Sequence, residues 1–105
     1  RGAGELLFLY DKILRLDPAR HATRREALAL SIRAGRYSDA VVHADELLKE
    51  FPKEPGLWQQ LGAAQAGAND MKAAKRSYET AITHAPDELL GYQRLAQLVW
   101  RGMND

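Results

Sequence analysis

Residues 55–88 read PGLWQQLGAAQAGANDMKAAKRSYETAITHAPDE, and this stretch decides the fold. Its first half carries apolar residues at helical spacing after Pro55, a residue that is well tolerated in the first turn of a helix. The run GAND at residues 67–70 is typical of a turn, and a second helical pattern follows until Pro86. The stretch therefore predicts two helices, a tight turn between them and a closing proline, which together have the length of one helical repeat.

The same unit recurs along the chain. Prolines stand at positions 18, 52 and 86, so they are evenly spaced, and their interval is the repeat period of the chain. Because one supersecondary unit that repeats at a fixed period stacks on its neighbours, this period predicts a solenoid. A shift by one period also relates three further sets of positions, which are Tyr10, Ala44 and Tyr78, then Ile13, Leu47 and Ala81, then Arg24, Trp58 and Tyr92.

Helical patterns fill the spaces between these breaks, and no segment alternates with period two for long enough to predict a strand. We expect an all-α solenoid of antiparallel helix pairs with about six helices, forming a single repeat domain over residues 1–105. Residues 1–20 would be the second helix of a partial unit and residues 89–105 the first helix of another. Residues 21–54 and 55–88 would be complete units. Tyr37, Ser38 and Asp39 offer hydroxyl and carboxylate oxygens that we expect to cap the start of the third helix.

Composition and charge exclude several classes of function. The 105 residues are 46% hydrophobic and 28% charged, a balance typical of one soluble globular domain. The net charge of +1 favours no class of partner, and without cysteine the chain has no disulfides and no thiol chemistry. No apolar run is long enough to predict membrane insertion. No targeting signal is visible, which favours the cytoplasm, but Arg1 in place of a methionine predicts a piece of a longer protein and leaves the compartment open.

Seven residues within 55–88, at their positions relative to one another, make the chain resemble the tetratricopeptide repeat family. These residues are Trp58, Leu61, Gly62, Ala74, Tyr78, Ala81 and Pro86. Residues 21–54 fit less closely, because Arg24 stands where the family favours tryptophan and Leu28 where it favours glycine or alanine. The resemblance implies a right-handed superhelix with a concave groove that binds another protein or a peptide.

Two packing differences between the complete units follow from the residues themselves. Gly62 opposite Ala74 should let two antiparallel helices approach closely, with Trp58, Tyr78 and Tyr92 filling the space around the contact. Leu28 in the earlier unit should instead make its helix pair wider or rotate it.

The resemblance implies that five positions of each first helix face the groove. The partner-binding residues expected from it are Arg25, Ala29, Arg33, Gln59, Ala63, Gln93, Gln97, Trp100 and Arg101. They would form a floor of small and neutral residues between arginine rims. Because a guanidinium group binds a carboxylate through two parallel hydrogen bonds, we expect an acidic partner segment, with Trp100 as an apolar anchor.

Other kinds of site are not expected. His43 and Glu46 have a spacing that suits two metal ligands, and Ser38, Asp39 and His43 suggest a triad, but neither set closes a site. We therefore predict no catalytic residue, no metal and no cofactor. Scattered arginines without a continuous stripe argue against nucleic-acid binding.

One use of the family can be tested on the residues that it requires. Some members bind acidic C-termini through a clamp of basic and asparagine residues. Arg25 and Arg94 match that clamp, whereas Ala29, Gln60 and Leu90 do not, so the clamp is not expected.

The function predicted from the sequence is a non-catalytic scaffold for protein–protein interaction. The alternative is a regulatory or docking segment of a larger enzyme or assembly factor. Residues 6–10 leave almost no polar face on the first helix, and neither terminal helix has a further neighbour in the sequence. Since uncovered apolar flanks are interfaces or liabilities, self-association through the two ends is also expected.

Overall fold

The computed structural model describes residues 2–103; Arg1, Asn104 and Asp105, at the ends of the predicted partial units, lie outside this range. The described residues form helices and connections and contain no strand. The predicted all-α class with six helices is therefore confirmed. The helices are α1 (Gly2–Leu16), α2 (His21–Arg33), α3 (Tyr37–Glu50), α4 (Pro55–Gly67), α5 (Met71–His84) and α6 (Leu89–Met103).

The helices form an elongated array in which each packs against the next one in the chain. In addition, α2 contacts α4 and α4 contacts α6, so these three helices form one layer. The array measures 42 × 28 × 19 Å, and its radius of gyration of 14.0 Å exceeds the value of about 13 Å expected for a compact chain of this length. Within residues 2–103, no helix combines the length and the hydropathy that crossing a bilayer requires.

The turns inside the two complete pairs use the same backbone geometry. Gly35, with φ of 73°, and Asn69, with φ of 66°, lie one repeat period apart, and both adopt the left-handed conformation that lets a helix end. The helix that follows Asn69 is capped, because the Asp70 carboxylate accepts a hydrogen bond from the backbone N–H of Ala73 at 3.3 Å. The matched residue Arg36 makes no such bond, so only the second pair has a side-chain cap at its turn.

Two repeated hydrogen bonds tie the first helices to the preceding proline turns. The Trp58 indole N–H donates to the carbonyl oxygen of Pro52 at 2.8 Å. One unit later, the Tyr92 hydroxyl donates to the carbonyl oxygen of Pro86 at 2.9 Å. These bonds explain why positions 58 and 92 carry aromatic residues with a polar tip.

Most of the buried core residues among the described helices belong to two clusters that meet at α4. The first is formed by α2, α3 and α4 and contains Leu28, Ala40, Ala44, Leu47, Leu48, Leu57, Leu61 and Ala64. The second lies between α4, α5 and α6 and contains Ala66, Ala74, Tyr78 and Leu98. The inner helices α2 to α5 thus bury apolar residues against their neighbours, whereas α1 contributes the buried residue Leu14 and exposes most of its apolar side chains.

The two helix pairs differ in how closely they pack, as the sequence predicts. A Cβ atom on Gly62 would lie 2.5 Å from Cε1 of Tyr78, whose ring is buried, so α4 and α5 meet more closely than an alanine would allow. At the matched position of α2, Leu28 is fully buried and the α2–α3 pair packs less closely. Two other aromatic residues, Trp58 and Tyr92, were expected to fill the space around this contact. Trp58 instead packs on the first cluster, and Tyr92 is half exposed.

Candidate partner-binding surface

All nine residues predicted for the groove lie on α2, α4 and α6, the three helices of one layer. Their exposure differs along the layer. Ala29 and Ala63 are partly buried, as is Arg25, whereas Gln59 is only 8% exposed. The residues that are exposed are Arg33, Gln93, Gln97, Trp100 and Arg101.

Arg25 is engaged by the chain itself. Its guanidinium donates two hydrogen bonds to the Glu54 carboxylate, at 2.6 and 2.7 Å, and stacks on the Phe51 ring with its central carbon 4.9 Å from the ring centroid. His21 meets the same ring edge-on. These bonds lower the pKa of the Glu54 carboxyl group. Arg25 therefore joins α2 to the connection before α4, and its charge is already balanced.

Gln59 occupies the position of Arg25 one unit later. Its side-chain nitrogen lies 3.9 Å from where a Cβ of Gly91 would be, so it packs at the junction of α4 and α6. A partner would reach little of it. The groove prediction assigns Gln59 to the floor, and in the structure this side chain is covered at the contact between units.

Tyr78 packs with Leu98 of α6 in the second core cluster, and two arginines of that helix affect the pKa of its hydroxyl group. Burial of the ring raises the pKa of the Tyr78 hydroxyl, while a hydrogen bond and charge from Arg94 and the charge of Arg101 act in the opposite direction. The Nε of Arg94 is buried and has no hydrogen-bond partner among the described residues. Sequence reasoning assigned Tyr78 to packing between units, and its ring is buried in the second core cluster.

The side chains that suggest a triad or a metal pair serve other contacts. The His43 Nδ1 lies 3.2 Å from a guanidinium nitrogen of Arg24, and burial together with that charge lowers the pKa of the imidazole. The Asp39 carboxylate pairs with Arg36. The Glu46 carboxylate pairs with Lys49. Among residues 2–103, no three His, Cys, Asp or Glu side chains are grouped so that they could hold a metal ion.

The pairing of Asp39 corrects one prediction about local structure. Residues 37–39 offer hydroxyl and carboxylate oxygens that were expected to cap the start of α3. The helix instead begins at Tyr37, so Arg36 occupies the cap position and makes no side-chain cap bond. Asp39 lies within the first turn, and its carboxylate accepts from the Arg36 Nε at 3.2 Å.

A cavity of about 500 Å³ lies on the other side of the molecule, between α1 and α3. Ser31 of α2 is among its lining residues, and the Ser31 hydroxyl is buried without a partner among the described residues. Ion pairs between Asp11 and Arg15 and between Arg36 and Asp39 flank the opening, so its charges are balanced.

Both terminal helices expose apolar side chains at helical spacing. On α1 these are Leu6, Leu9, Ile13 and Leu16, and on α6 they are Leu89, Tyr92, Val99 and Met103. Each set forms one stripe, since its members are three or four residues apart or one heptad apart.

Antiparallel helix pairs in a constant register, with one layer of first helices exposing polar and arginine side chains, define a helical-repeat protein. The sequence profile described as "Tetratricopeptide repeat" matches residues 31–99, which is more than half of the chain. The chain therefore belongs to the tetratricopeptide repeat family, as its residues indicate.

Relatives of known name cover most of this chain. Subunit 2-B of the ER membrane protein complex of Xenopus laevis is 30% identical over 96 residues, which are 90% of this chain and 32% of that protein. The human Superkiller complex protein 3 is 32% identical over 68 residues, which are 65% of this chain and 4% of that protein. The chain thus spans about a third of the length of the first of these relatives.

Solved structures confirm the fold. The MamA protein of Desulfovibrio magneticus RS-1 superposes with a TM-score of 0.88 over 96% of this chain and 57% of the other, at 19% sequence identity. At this identity the likeness is evidence for the solenoid alone.

The preference for a cytoplasmic location is wrong. Three relatives that match over 90% of the chain are named as subunits of an ER membrane protein complex. The absence of a visible targeting signal gave no information about such an association, because a subunit can be held by its complex.

Proposed function

We propose that this chain is a non-catalytic scaffold that binds a peptide or a helix of a partner protein on the layer of α2, α4 and α6. The observation that carries the proposal is the tetratricopeptide register over residues 31–99, in which the signature positions are used for packing. Among the nine predicted groove residues, the exposed ones are Arg33, Gln93, Gln97, Trp100 and Arg101. Arg33 and Arg101 are exposed there, so an acidic segment is the partner that complements the surface.

The relatives support a place within a larger assembly. Several are named as subunits of complexes, and this chain matches only part of each. We propose that the layer joins the chain to another subunit of a membrane-associated complex. The alternative of a docking segment in a larger enzyme or assembly factor differs only in what the rest of the parent protein does.

Peptide binding tests this function. Fluorescence anisotropy with the parent protein should show tighter binding of an acidic labelled peptide than of a basic one of equal length. Arg33→Glu combined with Arg101→Glu should remove the preference. Arg25 is not used for charge reversal, because Arg25→Glu would also break the contact with Glu54.

A matched control is available on α5. Lys72 and Lys75 are exposed and lie outside the layer of α2, α4 and α6. Lys72→Glu with Lys75→Glu changes the net charge by the same amount as the double arginine variant. The control should keep the preference for the acidic peptide. Equal binding of both peptides by the unmodified parent, or equal losses in the two double variants, would contradict the proposal.

The apolar stripes on the two terminal helices are the basis of a separate proposal, that the isolated 105-residue chain associates with itself. Sedimentation velocity should show dimers or larger species, and Leu9→Glu with Val99→Glu should return the chain to a monomer. Both residues are about half exposed, so the changes spare the core. A monomer at every concentration would show that the ends do not pair.

A further inference from the structure

The cavity between α1 and α3 lies apart from the surface proposed above. Leu7 and Phe8 line it from α1, and Val42 lines it from α3. Phe8 and Val42 are 60% and 58% exposed, so apolar surface continues from the cavity onto its rim. The acidic and basic side chains at the rim form ion pairs and cancel in charge. The cavity therefore suits an occupant that is neutral and largely apolar.

Two polar side chains, Ser31 and His43, also line the cavity. Ser31 is fully buried, and its hydroxyl has no hydrogen-bond partner among residues 2–103. The His43 Nδ1 lies 3.2 Å from a guanidinium nitrogen of Arg24. Because a guanidinium only donates, Nδ1 is the acceptor of this bond and the ring proton is on Nε2. The cavity thus combines a hydroxyl without a partner and an imidazole N–H donor.

The matched pair of the next unit is closed by the chain itself. A shift by one repeat period converts Ser31 and His43 into Gln65 and Ser77. The Ser77 hydroxyl donates to the Gln65 Oε1 at 2.6 Å, so the carboxamide of Gln65 bridges α4 and α5. In the first unit Ser31 is too short to bridge the same space, and His43 bonds to Arg24 instead. The carboxamide is therefore the group that the first unit lacks.

A ring that covers the second unit is also replaced in the first. Tyr37 lies over the end of α4, since a Cβ on Gly67 would meet the Tyr37 ring. One repeat period earlier, the same two positions carry Ala3 and Arg33. Ala3 has no ring that could cover the end of α2, and its neighbour Gly4 lines the cavity. The space that α3 and α4 fill with their own side chains is thus left open between α1 and α2.

We propose that the cavity between α1 and α3 binds the carboxamide of a glutamine on a helix of a partner protein. The carboxamide oxygen accepts from the His43 Nε2–H, and the carboxamide N–H donates to the Ser31 hydroxyl, as a buried hydroxyl requires. The glutamine stem packs against Leu7. Apolar residues one turn away on the partner helix cover Phe8 and Val42, and this surface outside the cavity favours a helix over a free small molecule.

Carboxamide binding can be measured without knowing the partner. The parent protein, labelled at leucine and valine methyl groups and at histidine nitrogens, is titrated with valeramide and followed by NMR. Sodium valerate, in which an anion replaces the carboxamide, and 2-hexanone, in which a methyl group replaces the amide nitrogen, are the matched probes. The signals of Leu7, Val42 and His43 should shift together. Valeramide should bind about fivefold more tightly than either probe, the effect of one hydrogen bond.

A double variant that copies the second unit locates the site. Ser31→Gln with His43→Ser gives the first unit the closed pair of Gln65 and Ser77. Valeramide should then no longer shift the Leu7 signal, because the chain's own carboxamide occupies the place. Circular dichroism should show the helix content of the parent.

A variant at the rim tests the site without a change in a buried residue. Val42→Arg introduces the residue type of Arg76, one repeat period later, and should raise the dissociation constant of valeramide. Val99→Arg on α6, at a side chain that is about half exposed, is the control and should bind valeramide as the parent does. Equal effects of the two variants would contradict the location of the site.

A helical peptide tests the source of the carboxamide. An alanine-based helical peptide with a central glutamine, and a leucine one turn to either side, should displace valeramide. The same peptide with a central leucine or glutamate should not. If valeramide binds but the three peptides do not differ, the partner helix is refuted.

The remaining outcomes separate this site from the scaffold function proposed above. Binding of 2-hexanone or valerate as tight as that of valeramide would overturn the carboxamide site, as would binding retained by Ser31→Gln with His43→Ser. The layer variant, Arg33→Glu with Arg101→Glu, should bind valeramide as the parent does. Failure of the acidic peptide to bind the layer would therefore leave the cavity site standing, and the reverse also holds.

Discussion

The two complete helix pairs, α2–α3 and α4–α5, have the same register but are held together differently. The first has a buried leucine at position 28 and an ion pair from Arg25 to Glu54. The second has Gly62 against the Tyr78 ring, a buried Gln59 and a capped turn at Asp70. The repeat period therefore determines which helix faces meet, whereas the side chains determine how closely the helices approach and which polar groups remain for a partner.

The largest expected effect is at Leu28. Leu28→Ala should lower the free energy of unfolding by about 3 kcal/mol, because it leaves a cavity beside Ala40 and Leu47 that the wider pair cannot close. Urea denaturation measures the change. Val42→Ala on the exposed side of α3 is the control and should stay within about 0.5 kcal/mol of the wild type. A loss below about 1 kcal/mol at Leu28 would mean that α2 and α3 can approach as α4 and α5 do.

The next effect is at the matched position of the second pair. Gly62→Ala gains about 1 kcal/mol of helix propensity. The new Cβ would lie 2.5 Å from a buried ring, and overpacking costs about 1–3 kcal/mol, so we expect a net loss of about 1 kcal/mol. Thermal unfolding measures it.

Two further variants check the physical reason. In a Tyr78→Leu background, Gly62→Ala should cost less or become stabilising, because the clashing ring is gone. Gly56→Ala in the same helix meets open space and should not destabilise the chain. Equal effects of Gly62→Ala in both backgrounds would disprove the account of the close approach.

The smallest effect concerns the ion pair. Arg25→Gln makes the first pair like the second at this position and should cost about 0.5–1 kcal/mol, because both partners are more than a third exposed. Glu88→Gln, one repeat period after Glu54, is the control and should be neutral. The measurement is chemical denaturation at several pH values.

The shifted pKa of Glu54 determines how the stability difference between wild type and Arg25→Gln changes with pH. The pKa of Glu54 is lowered in the folded state, so the pair stabilises fully above the unfolded pKa of about 4.3 and loses its effect as the pH falls through the folded value. Wild type and Arg25→Gln should therefore converge in stability at acidic pH. A difference that persists there would indicate that stacking on Phe51 holds Arg25 in place.

The sequence predicts the fold well because the fold depends on spacing. The prolines at 18, 52 and 86 separate the pairs, and α4 and α5 begin at the predicted Pro55 and Met71. The side-chain cap predicted for α3 was wrong, since the helix begins at Tyr37 and the Asp39 carboxylate accepts from Arg36 instead of from a backbone N–H. Gly35 and Asn69 take the left-handed turn positions, of which only Gly35 has the residue type that predicts it most strongly.

The surface was harder to predict than the fold. A position in the family pattern predicts the direction in which a side chain leaves the helix. It does not predict whether another residue of the chain binds or covers that side chain. Arg25 is taken by Glu54, which is distant in sequence, and Gln59 is covered from α6, whose approach depends on Gly91. Contacts between units decide both cases, and they follow from the helix layers rather than from any local pattern.

Affinity capture with the full-length parent protein tests the central claim most directly, namely that the layer of α2, α4 and α6 binds a partner. The parent is compared with its Arg33→Glu and Arg101→Glu double variant and with the Lys72→Glu and Lys75→Glu control, all with matched thermal stability. We expect the parent and the control to retain the same partner and the layer variant to lose it. Retention of that partner by all three proteins would contradict the claim.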